Sequence, residues 1–346
     1  MPAASPSAEF LKRVLLVAAV VLGALVLWRT YEILLLVFAA ALLATVLRAL
    51  ADFVRRYTRL PDLAAYGVAI VVTLAVLGVA AWIFGAQATA QVNALAERLP
   101  QALASLRAWL DSQPWLRPVA ESFQPGDQAG NLAARLGGFA MTGFDVAAGL
   151  VLILFGGLYF GAQPRLYRRG VKMLFPPRLH EQVGDALDLA GYAMRRWLLG
   201  QLVDMALIGL LTGAGLWAIG APSPLALGLL SGLASFVPYV GPIAAGALAV
   251  LVASAQSLEL GAWALGLYLA VQQVEGHLIM PFVQRWTIAL PPALGVFAVV
   301  AMGDLFGPLG VILATPLTVV VFVLVKKLYL RDTLGEQVDV KRPVRG

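Results

Sequence analysis

The chain contains no cysteine, which removes disulfides, thiol nucleophiles and thiolate metal sites and leaves the redox compartment open. Charge is scarce too. Only 13% of the residues are Asp, Glu, Lys or Arg, against about a quarter in an ordinary soluble domain. Loops of the GxxxxGK[ST] type are missing, as are HExxH and GxSxG. The stretch VAMGD approaches an intramembrane aspartyl-protease pattern only loosely, because Ala301 stands where that pattern has its first glycine. The chain therefore reads as a non-enzyme without cofactor or metal.

What it has is hydrocarbon. Hydrophobic residues make up 60% of the 346, and the mean hydropathy is +0.84. Apolar runs at 14–28 and 63–85 approach or reach the roughly 20 residues that cross a bilayer. The first follows Lys12 and Arg13, as in a signal peptide, but it ends in WRTYE with no small-residue cleavage pattern, and another apolar run follows. It reads as a retained membrane helix. The fold class is all-α: a polytopic helical membrane protein with about six full spans plus two broken or re-entrant helical hairpins.

Of the 25 Lys and Arg residues, 19 fall in four clusters: Lys12/Arg13, Arg48 to Arg59, Arg165 to Arg196, and Lys326 to Arg345. Placing all four in the cytoplasm is self-consistent under the positive-inside rule. The net charge of +6 then reports membrane sidedness rather than nucleic-acid binding. This gives a multi-pass protein of the bacterial inner membrane with both termini cytoplasmic. Five segments follow. Residues 1–62 form a helix pair and basic loop, and 63–160 two spans flanking an external amphipathic stretch, 86–137. Residues 161–196 form a cytoplasmic amphipathic segment opened by Pro176 and Pro177, lying along the membrane surface. Residues 197–328 are a core, and 329–346 a basic tail. His180 reads as a solvated residue.

The core is repeatedly interrupted. Between 197 and 325 its only charged side chains are Asp204, Glu259, Glu275, Arg285 and Asp304, with His277 able to join them. LALGLLSGLASF is followed by VPYVGP, and PPALGVFAVVAM by GDLFGPLG. The first three arms, of 12 to 13 residues, rise only about 18–20 Å as helices, short of a core about 30 Å thick, and the fourth, at 15 residues, is borderline. Two hairpins are expected, over 225–255 and 291–325, with tips at Pro238, Tyr239, Gly241 and Pro242 and at Gly303, Gly307, Pro308 and Gly310. Irregular backbone at membrane depth survives only when buried in protein or lining a watery cavity, and broken helices of this kind build transporter sites.

Ionisable groups in the bilayer normally face a partner, a cavity or a pathway. Gln272, Gln273, Glu275 and His277 form a polar cluster near the end of a span, with Arg285 beyond it. Glu275 and His277 are expected to give polar contact or proton coupling, and Gly276, Pro281 and Pro316 to break helices. Asp204 lies seven residues into its span, where it lines a pathway or pairs with Arg196. Asp304 opens the second tip as a pathway group or a cap.

The blocks PPRLHEQVGDALDLAGYAMRRWLLGQ, GLASFVPYVGPIAAG, QQVEGHLIMPFVQRWTIALPPAL and FGPLGVILATPL, in this order, resemble the permease family named for autoinducer-2 export. The resemblance runs from the first hairpin to about residue 328. It departs at His277, where asparagine is more usual after Glu-Gly, and at Pro291, where a polar or histidine residue is expected. It implies a secondary transporter of the inner membrane, oligomeric, exporting a small organic solute or signal. Other members resemble sodium (lithium)/proton antiporters. A non-transporting scaffold is the remaining reading. Partners are then lipid, a small solute or ion and further copies of the chain, with no nucleic acid.

Overall fold

A computed structural model describes residues 6–79, 82, 143–284, 290–331 and 334. The external stretch 86–137, Arg285 and most of the basic tail lie outside the described residues. Every regular element among them is helical: α1 (Pro6–Arg29), α2 (Tyr31–Thr58), α3 (Asp62–Val79), α4 (Gly143–Ala162), α5 (Pro164–Met173), α6 (His180–Ala218), α7 (Pro224–Ala234), α8 (Val240–Ser254), α9 (Leu258–Val274), α10 (Met280–Gln284) and α11 (Pro292–Leu324). Among the described residues, four helical stretches are long and apolar enough to cross a membrane: Tyr31–Thr58, Asp62–Val79, Pro177–Ala218 and Pro292–Tyr329. The count rises to five if the pair Ala148–Ala162 and Pro164–Met173, bent by 94°, is one span.

That bend has a local cause. Pro164 cannot donate to the α4 ladder, so the helix stops and Gln163 takes a non-helical conformation (φ −128°, ψ 58°). Arg48 of α2 covers the carbonyls left behind, donating from Nε to Gly161 and from Nη2 to Ala162 (3.0 Å), while its Nη1 meets Asp62 at 2.9 Å. A cation on a helix C-terminus also complements the dipole. α2, α3 and α4 are thereby held together at one end. Gly156 and Gly157 let α4 lie against Ala40 and Leu43 of α2, where an added Cβ would approach to 2.8 and 2.7 Å.

α6 has 39 residues and so rises about 58 Å, roughly twice the hydrocarbon thickness. The surface segment before 196 and the span after it are one continuous helix, with no turn between them. The stretch 190–200 has no proline, and Gly191 and Gly200 are both held within the helix. His180, read as solvated, donates from Nε2 to the Phe175 carbonyl at 2.9 Å and so closes the preceding turn.

α6 packs on α7 through glycine. Gly209 and Gly213 face Gly228 and Gly232, and a Cβ on Gly228 would come within 2.5 Å of the Gly213 Cα. Both pairs have the four-residue spacing that lets membrane helices approach backbone to backbone. Leu35 and Leu42 of α2, Leu189, Ala193, Trp197 and Leu198 of α6, and Leu313, Val319 and Val323 of α11 form the main core.

Both expected interruptions are present. α7 and α8 are separated by Ser235–Tyr239, with Tyr239 at φ 68°. The returning arm is pressed against the outgoing one, since a Cβ on Gly241 would lie 1.7 Å from the Ala234 carbonyl oxygen. In α11 the break is one residue, Gly307 (φ 64°, ψ −152°), and Pro308 starts the second arm. Gly310 packs on the Met302 carbonyl in the same way, at 2.0 Å for a hypothetical Cβ. Residues eight apart in a straight helix are about 12 Å apart, so α11 doubles back although its length reads as one span. Gly303 faces Val311 across that fold.

Pro281 and Pro316 do not break their helices. Ahead of Pro281 the chain forms a π turn, Glu275–Ile279, in which Met280 donates to Glu275. Widening the turn absorbs a proline that cannot donate to the residue four back. Gly276 sits inside the turn as a helical residue. Pro316 lies buried in the second arm of α11, where only Gly307 leaves helical geometry.

Candidate transport site

Trp197, Gly200, Gln201 and Asp204 recur at three- and four-residue spacing, so α6 presents them on one face. That face lines a cavity of about 160 Å³. Across it stand Ser235, Pro238 and Tyr239 of the first tip, Glu275 at the π turn, Pro291 just before α11, and Pro292, Gly295 and Thr315 of α11. The first tip is fixed there by Gln201, whose Nε2 donates to the Ser235 carbonyl at 2.9 Å. Ser235 Oγ turns back to Gly232 (2.8 Å), and the Trp197 ring meets Phe236 edge-on at 5.8 Å.

Asp204 is 7% exposed, and its Oδ1 has no hydrogen-bond partner among the described residues. Buried polar atoms are normally satisfied, which sets Asp204 apart from the other residues that line this cavity. Pairing with Arg196 does not occur: Arg196 donates to Tyr192 Oη (3.1 Å) and stacks over its ring. Asp204 is 14 residues before the end of α6, about 21 Å along the axis. Glu275 is half-buried and accepts from Gln272 Nε2 at 2.9 Å. Two carboxylates 71 positions apart in sequence thus line one small space.

The other sequence candidates stand elsewhere. His277 is exposed and donates from Nδ1 to the Gln273 carbonyl of its own helix (3.0 Å). Gln272, Gln273 and Asp304 are exposed. Gly241 and Pro242 shape the first tip without lining the cavity. Gly303, Asp304, Gly307, Pro308 and Gly310 form the second tip, whose Phe306 packs on Tyr31 at 5.1 Å. Sequence reasoning passed over Gln201, Trp197 and Thr315; the spacing of 197, 200, 201 and 204 was the signal for the first two. Among the described residues no group of three or more His, Cys, Asp or Glu could hold a metal ion.

Comparison with known proteins gives a consistent result. Residues 15–330 match the sequence profile described as AI-2E family transporter. The candidate transport protein MT0215 of Mycobacterium tuberculosis (strain CDC 1551 / Oshkosh) is 32% identical over 269 residues, 72% of each chain. The candidate transport protein YrrI of Bacillus subtilis (strain 168) is 29% identical over 181 residues, 52% of this chain and 50% of its own. A candidate transport protein of Thermotoga maritima is 26% identical over 211 residues, 60% of this chain and 64% of its own. The matched region thus spans half to three quarters of these relatives. The chain belongs to the AI-2E transporter family, a family of multi-pass membrane transporters.

Proposed function

We propose that the chain is a secondary transporter that exports a small organic solute or signal, with a pathway through the cavity between α6, the first tip, the π turn and α11. The observation that carries this is that buried Asp204, one of whose carboxylate oxygens has no partner among the described residues, lines the same cavity as Glu275. A carboxylate pair in a cavity beside broken helices is a place to bind a proton or monovalent cation. In this reading, occupancy of the pair is linked to movement of the first tip through the Gln201–Ser235 hydrogen bond.

The membrane arrangement in this reading has six full spans, α1, α2, α3, α4, α6 and α9–α10, with α7–α8 and α11 as two re-entrant hairpins. Both termini face the cytoplasm of a bacterial inner membrane, and the protein works as a homo-oligomer. The orientation rests on the four basic clusters.

Sodium (lithium)/proton antiport is the second reading, favoured by the cavity size. About 160 Å³ is well below the roughly 300–1,000 Å³ of sites for drug-sized ligands. Proteoliposomes loaded with a pH dye and given a sodium gradient separate the two. Proton movement abolished by Asp204→Asn supports antiport; none in wild type removes it. Solute flux insensitive to both Asp204→Asn and Glu275→Gln removes this cavity from the pathway.

A further inference from the structure

We propose that α5 and the turn after it form a binding site for anionic phospholipid, separate from the transport cavity. α5 carries Arg165, Arg168, Arg169 and Lys172 and no acidic residue. These four, with Met173 and His180, line a cavity of about 660 Å³. Lys172 Nζ reaches α6 beside Gly184, where a Cβ would come within 2.9 Å of it. Arg168 is tied to Asp188 at 2.5 Å, so one cation anchors α5 to α6. Among the described residues, Arg165, Arg169 and Lys172 have no carboxylate at ion-pair distance.

Charge complementarity calls for a phosphate-bearing ligand, and two further observations select a lipid over a free anion. α5 leaves the α4 axis at 94°, so it runs along the plane of a membrane that α4 crosses. Apolar residues of α5 and of the turn after it also lack protein cover: Leu166 is 59% exposed, Met173 61% and Leu174 81%. Cations beside bare apolar side chains on one short helix and the turn after it suit the headgroup boundary. A soluble phosphate would use only the first.

Full-length protein, delipidated in detergent, is titrated with phosphatidylglycerol and with phosphatidylcholine of the same chains, and bound lipid is counted by native mass spectrometry. Wild type is expected to hold phosphatidylglycerol at least tenfold tighter. The triple variant Arg165→Gln, Arg169→Gln, Lys172→Gln is expected to lose roughly 100-fold, about fivefold for each cation near a lipid surface. Equal binding of the two lipids, or an unchanged triple variant, overturns the proposal. Displacement by millimolar inorganic phosphate also overturns it, in favour of a small-anion site. If the triple variant does not fold, spin labels on Leu174→Cys and Arg169→Cys in nanodiscs decide instead. Leu174 is expected at oxygen-accessible lipid depth and Arg169 in water; an aqueous Leu174 contradicts the proposal.

Discussion

Gln201 donates from its side-chain amide to the backbone carbonyl of Ser235 at 2.9 Å, which ties the middle of α6 to the first helix break one turn away from Asp204. Ser235 is 3% exposed, so its carbonyl has no ready replacement donor. Gln201→Leu is expected to remove about 1 kcal/mol of stability and to slow flux more than it lowers the thermal midpoint. Flux measured beside thermal unfolding in detergent checks this; parallel small losses would mean the bond is only structural.

The carboxylates are expected to separate from their neighbours. Asp204→Asn and Glu275→Gln should each reduce transport by an order of magnitude or more, with folding retained. His277→Asn should act weakly, because its ring already bonds within its own helix and faces outward. Side-by-side vesicle assays test this, and a His277 effect as large as that of Asp204 would move the site.

Glycine at the two folds is required by contact. Gly241→Ala places a Cβ 1.7 Å from the Ala234 carbonyl oxygen, and Gly310→Ala 2.0 Å from that of Met302. Each is expected to cost about 1–3 kcal/mol or more by overpacking. Gly276→Ala meets nothing within 4 Å and should be near neutral. Thermal midpoints of the three variants give the comparison.

Pro281→Ala restores a backbone donor and removes the reason for the π turn. Stability is expected to hold or rise while flux falls, because closing that turn rotates Glu275 relative to Val283, which also lines the cavity. Unchanged flux at unchanged stability would show that the wide turn has no part in the pathway.

How much of this was legible in the sequence follows from the range of each cause. The interruptions at Val237–Pro242 and at Gly307 are local, since proline and glycine act on their own backbone, and both were readable. The joining of Asp204 to Glu275 depends on how α6 and α9 pack, which no short stretch encodes. His277 and Asp304 drew notice because charge is rare here, yet rarity does not say which way a helix faces. Gly209, Gly213, Gly228 and Gly232 carried a readable spacing for the α6–α7 contact. Continuity of α6 through Trp197 is harder to read, because the change from polar to apolar composition there does not mark a change of element.

Water access at the first tip tests the pathway most directly. The chain has no native cysteine, so Tyr239→Cys and Ile243→Cys can each be the single thiol, in reconstituted vesicles. Tyr239 lines the cavity, whereas Ile243 is 73% exposed on an apolar face of α8. A membrane-impermeant thiol reagent should modify Tyr239→Cys from an aqueous side and leave Ile243→Cys untouched in lipid. Modification of neither in folded protein, or of both equally, contradicts a water-lined tip within the membrane.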